Sequence, residues 1–174
     1  MKDRNEKDKS NNKKESINTF SIPFTTGEIK ENIILSTRTP SNLSINEIIN
    51  HGILLKSQGK LVEAAKYYQS CINKDILDPV IFCDYGEILK ALGKFKKAEI
   101  LTRKAIKIKP FWPKPYFNLG EILVQGGKSK EAESLFFKVI DLDPNHANAH
   151  SNLGALFKDV GKIIEAEKFL LKAI

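Results

Sequence analysis

Three small sets of residues in this 174-residue chain have types and spacings that could do chemistry. Gly126-Gly127-Lys128-Ser129 has the ending of a phosphate-binding loop, in which backbone amides and a lysine cradle a nucleotide. That pattern, G-x-x-x-x-G-K-[ST], needs glycine at 122 and a strand before it; Ile122 stands there, and the apolar spacing predicts a helix. Nucleotide binding is therefore not expected. His146 and His150 lie four apart near Asp141 and Asp143, a spacing that could hold a metal. His146 falls in a predicted turn, however, and His150 in a slot that other stretches fill with an aromatic ring, so both read as packing residues. Cys71 and Cys83 form the third set; Cys71 occupies a small-residue packing position, and Cys83 is expected to face an open groove. His51 reads as a core histidine in a leucine's place. No Ser/His/Asp or Cys/His arrangement can be assembled, so the residues predict no enzyme, no cofactor and no metal.

Composition narrows the class further. With 41% apolar and 28% charged residues, the chain has the balance of an ordinary soluble domain. Two cysteines without partners point to a reducing compartment, and a cytoplasmic location is expected. The charged start, MKDRNEKDKSNNKKES, has no apolar core behind it. No apolar run approaches the roughly 18 residues of a membrane span, so neither secretion nor a membrane partner is expected. The net charge of +7 reads as diffuse, lysines alternating with Glu or Asp along solvated helix faces, and nucleic acid is not expected as a partner.

Stepping outward to the elements, residues 1–19 are almost purely polar and predict a disordered tail. Residues 20–44 add apolar anchors such as Phe20, Phe24 and Ile33, interrupted by Pro23, Gly27 and Pro40, and predict an irregular linker. From residue 45 the chain repeats with a period of 34: Gly52, Gly86, Gly120 and Gly154 are in phase, as are Gly59, Gly93, Gly127 and Gly161. Ala64, Ala98, Ala132 and Ala166 keep the same phase. Four helix–turn–helix blocks follow, 45–78, 79–112, 113–146 and an incomplete 147–174. Tyr116, Leu119 and Leu123 on a first helix, and Ala132, Leu135, Phe136 and Val139 on a second, mark the buried faces. Gly120 and Ala132 supply the small side chains that let two helix axes approach. The first block ends without the proline of the others, Ile76 standing in its place, which leaves the turn into the second block undefined.

These residues resemble the tetratricopeptide repeat family, whose pattern is W-x2-L-G-x2-Y, then A-x3-F, then P. The third block follows it through Tyr116, Leu119-Gly120, Leu123, Ala132, Phe136 and Pro144. The resemblance implies an all-α solenoid, a right-handed superhelix whose first helices line a concave groove for protein or peptide partners. One column of that groove reads Asn50, Asp84, Asn118 and Asn152. A similar ladder in the long arrays of O-linked N-acetylglucosamine transferases holds the backbone of an extended peptide, since an amide both donates and accepts. Asp84 interrupts it, because a carboxylate only accepts. Neighbouring columns place Lys56, Lys90 and Lys158, then Glu87 and Glu121, then Phe117, on the same face, the lysines suited to an acidic peptide.

A second expectation is that the array recruits substrate for a larger transferase, a glycosyltransferase or sulfotransferase. The last block stops within its second helix and leaves Phe169, Leu170 or Ile174 uncovered, so that more chain follows or two copies pair.

Overall fold

The computed structural model describes residues 43–174. The tail expected over 1–19, and all but the last two residues of the 20–44 linker, lie outside the described residues. Eight helices fill the described part: α1 (Ile45–Ser57), α2 (Leu61–Ile72), α3 (Pro79–Ala91), α4 (Phe95–Ile108), α5 (Pro113–Gln125), α6 (Ser129–Leu142), α7 (Ala147–Asp159) and α8 (Ile163–Leu171).

Short local signals delimit them. Ser44 opens α1 with a capping box, its hydroxyl accepting from the Glu47 amide while the Glu47 carboxylate accepts from the Ser44 amide at 2.8 Å. Asp78 opens α3 by accepting from the amides of Val80 and Ile81, with Pro79 in the first turn, where its missing N–H costs nothing. His146 opens α7, its Nδ1 accepting from the Ala149 amide at 3.2 Å, which gives this histidine a capping role and no ligand geometry. Every first helix ends in the same way. Gly59, Gly93, Gly127 and Gly161 adopt φ of 71 to 77°, and the amide of the lysine that follows each bonds back to the carbonyl five residues earlier.

The turn from block one to block two, undefined by sequence, is closed by Asp75. It takes φ of 57°, a left-handed conformation that aspartate tolerates better than most side chains. The chain then runs through Ile76 and Leu77 to the Asp78 cap, so a left-handed aspartate and a capping aspartate replace the proline turn of the later blocks.

Within each block the two helices meet at a glycine, and the residue sixteen positions later packs against it. A Cβ on Gly52 would lie 2.0 Å from the Tyr68 hydroxyl oxygen, and one on Gly120 would lie 2.6 Å from a ring carbon of Phe136. Thr102 fills that place opposite Gly86, and Leu170 opposite Gly154. The facing group is thus this larger side chain, with the repeated alanine buried one turn earlier. Phe136 is fully buried, and cutting it to alanine is expected to cost about 3–5 kcal/mol.

The interior falls into three apolar clusters. Tyr68, Ile81, Tyr85 and Ile88 anchor the part between α1 and α4, while Leu119, Phe136, Leu153 and Phe157 anchor the part between α5 and α8. Phe82, Cys83 and Ala105, with Trp112 at their edge, form a smaller third cluster that meets the first at Ile72 and Leu101. Besides these seams, α1 packs on α3 and α3 on α5, while neither α5 and α7 nor the second helices of successive blocks share a contact of that extent. Over the first three blocks the first helices are therefore closer together than the second, and the first helices form the inner wall of the stack.

Candidate functional site

The inner wall carries every residue singled out for peptide binding, and their environments differ along its length. Lys56 on α1 pairs with Glu87 on α3, and Lys90 on α3 pairs with Glu121 on α5, in both cases across 31 residues. These two lysines and two glutamates satisfy one another, so they form rungs of a ladder that ties neighbouring first helices together. Burial alone would raise the Glu87 carboxyl, but the hydrogen bond and charge of Lys56, joined by Lys114 and Lys90, hold it below the ordinary glutamate range.

Asp84 is 4% exposed, and Lys114 Nζ donates to its Oδ1 at 2.6 Å. The same ammonium lies 3.7 Å from Glu87. Burial would lower the Lys114 pKa, yet the hydrogen bond and charge of Asp84, with Glu87 behind it, raise it. Lys114 is a site residue that the groove columns do not predict. The signal was there to be read, since the column two residues before Tyr116 runs Asn46, Val80, Lys114 and Asn148, and only block three places a cation opposite the one aspartate of the asparagine column.

The asparagine column is not uniform. Asn50 is exposed and Asn152 half-buried, while Asn118 is 4% exposed and donates through Nδ2 to the Cys83 sulfur at 3.4 Å. Cys83, expected to face the groove, is fully buried, and burial pushes its thiol up to about 12. The reason lies in the stacking: α5 covers the column of α3 that an isolated repeat would expose. Phe117 is half-buried as well, its ring 5.8 Å from Phe136 and 4.9 Å from His146. His51 is also half-buried and lies against Tyr67 at 4.8 Å, not in the core. His150 is buried, with Nε2 2.9 Å from the Pro144 carbonyl oxygen. Among the described residues no group of three or more His, Cys, Asp or Glu side chains could hold a metal ion.

The ladder changes character at its third rung. At the spacing that joins Lys56 to Glu87 and Lys90 to Glu121, the next pair is Val124 and Ala155, both exposed. Lys158, the last of the lysine column, is exposed and has no carboxylate partner among the described residues. The wall formed by α5 and α7 therefore presents an aliphatic step between Asn152 and a free cation.

The positive charge is not diffuse, contrary to expectation. Residues 94–109, spanning α4, hold seven basic side chains and one acid, Glu99, so that this one helix and its ends account for nearly all of the chain's +7. At the other end of the array, α8 exposes Ile163, Ile164 and Leu171, with Phe169 half-buried and Leu170 and Ile174 exposed.

Stacked helical hairpins of 34-residue period, with an inner wall of first helices, define an α-solenoid of repeat type. The family model for the tetratricopeptide repeat matches residues 80–111 and 113–146, so the chain carries tetratricopeptide repeats there. No curated protein sequence matches it. Among solved structures, a crystal structure of MamA superposes with a TM-score of 0.70 at 19% identity, covering 77% of each chain. A structure described under the functional characterisation of Pseudomonas aeruginosa PilF gives a TM-score of 0.68 at 16% identity, covering 75% of this chain and 61% of that one. At these identities the likeness is one of fold.

Proposed function

We propose that this chain is a protein-interaction scaffold whose inner wall binds an extended segment of a partner, chiefly along α5 and α7. The interruption of the ion-pair ladder carries this reading. Where Lys56, Glu87, Lys90 and Glu121 already satisfy one another, an incoming peptide gains little, and displacing Lys114 would leave the buried Asp84 unpaired. Past that point the Asn152 amide is free to donate to and accept from a peptide backbone. Val124 and Ala155 offer an apolar step, and Lys158 offers a cation. The matching ligand is an extended segment with an aliphatic side chain near a carboxylate.

Selection from a displayed peptide library, followed by titration of the winners against the full chain, tests this. Val124→Glu and Lys158→Glu are expected to weaken binding about tenfold or more, while Lys56→Ala leaves it within about twofold. Dependence on Lys56 and indifference to Lys158 would overturn the reading.

The exposed apolar face of α8 favours a second reading, in which another helix packs there. That helix would come from a second copy of the chain or from a domain served by the array, such as a transferase. Mass measurement in solution, with Ile164→Glu as the variant, separates pairing from a monomer.

A further inference from the structure

The seven basic residues of 94–109 lie on and around one helix, and the face they occupy is the outer one. Ala98, Thr102 and Ala105 turn inward and are fully buried, which leaves Lys96, Lys97 and Lys107 outward with Ile100 and Ile108 between them, while the Lys104 ammonium lies over the Phe82 ring of α3 at 5.6 Å. Only Arg103 has carboxylate partners among the described residues, Glu99 at 2.8 Å and Glu131 at 3.5 Å; the six lysines have none. The neighbouring second helices mix their charges, as α6 does with Lys130, Glu131, Glu133 and Lys138. Beyond the end of α4, Phe111 stands 82% exposed in the turn to α5. Leu77 holds the same place in the preceding turn and is 74% exposed, whereas the following turn has Asn145 there.

We propose that the outer face of α4, with Phe111 beyond it, docks on a lipid bilayer rich in anionic headgroups. Two features join in this assignment. A row of lysines along a helix about 21 Å long matches a plane of negative headgroups, each cation contributing near the surface. Protruding apolar side chains, Phe111 above all, match the boundary between headgroups and acyl chains, while Ile100 lines a shallow groove with Lys97, Tyr85 and Leu89. Nucleic acid accounts for the first feature and leaves the second idle, and its usual phosphate reader, arginine, supplies one of the seven cations. Among the described residues no helix is long and apolar enough to cross a membrane; a face that lies on one needs no span. The expectation of no membrane partner rested on that missing span alone. The inner wall takes no part, so this surface stands apart from the peptide-binding reading.

Cosedimentation of the full chain with phosphatidylcholine vesicles, with and without about 30% phosphatidylserine, tests the proposal. Binding is expected only to the anionic vesicles and is expected to fall steeply with salt. Lys96→Gln with Lys107→Gln should weaken it about 20- to 30-fold, roughly fivefold for each charge removed. Phe111→Ser should weaken it about tenfold. The single tryptophan, Trp112, adjoins Phe111 and should be quenched by brominated acyl chains, in the unmodified chain more than in Phe111→Ser. Asn152→Ala, on the inner wall, should leave vesicle binding unchanged, and the two outer-face variants should keep their thermal midpoints. Failure to sediment with anionic vesicles would overturn the proposal, as would binding indifferent to these variants. Retention of RNA or DNA through the same lysines, with no vesicle binding, would assign the face to nucleic acid instead.

Discussion

The rung between α1 and α3 and the rung between α5 and α7 occupy the same place in the repeat and are built from opposite chemistry. The first is a lysine–glutamate pair, backed by Lys114 and the buried Asp84; the second is a valine and an alanine. A half-exposed ion pair adds little stability, on the order of 1 kcal/mol or less, but it occupies its own donors and acceptors. An aliphatic step leaves surface unsatisfied by the protein itself. Identical backbone positions thus separate a part of the wall that holds the stack together from a part that is available to a ligand.

The largest expected effect comes from breaking the closed half. Lys114→Ala should lower unfolding stability by about 2 kcal/mol, less than a fully buried pair would lose, because the Lys114 side chain is 44% exposed and water can reach the site. Denaturant titration checks this, and adding Asp84→Asn should restore most of the loss, since the carboxylate no longer needs a cation.

Next in size are the amides. Asn152→Ala should weaken peptide binding by about 0.5–1.5 kcal/mol with stability unchanged. Asn118→Ala should do the reverse, because its amide is buried against the Cys83 sulfur, so calorimetry and thermal unfolding should respond to different members of one column.

Installing the missing rung sharpens the contrast further. Val124→Lys with Ala155→Glu should change stability by only about 0.2–1 kcal/mol while removing peptide binding, as titration of the selected peptide would read out. The smallest effect is in pH. The Glu87 pKa is held below its unfolded value near 4.5, so its contribution is complete above that value and is lost as pH falls through the lower folded one. Stability measured through that acid range should decline less steeply in Lys56→Ala.

Helix pairs, their glycine turns and their close approaches were legible because each is a local rule repeated at a fixed period. Asp75 escaped because a left-handed aspartate has no signature as strong as glycine or proline. The pairing of Lys56 with Glu87 escaped for a different reason: it joins residues 31 apart and depends on how tightly successive blocks curve. Within one repeat the Cys83 column faces the groove, and its burial comes from the next repeat, which no single block encodes. The charge on α4 is legible in sequence only over a window of one helix, because the neighbouring helices carry balanced charge.

A chain of near-identical hairpins can assemble out of register, one block's first helix closing on another block's second. Here the seams are keyed differently, by a tyrosine hydroxyl at Gly52, a threonine at Gly86, a phenylalanine ring at Gly120 and a leucine at Gly154. A hairpin that picked up its neighbour's partner would meet a void or a clash, so during folding each first helix is steered to its own second helix.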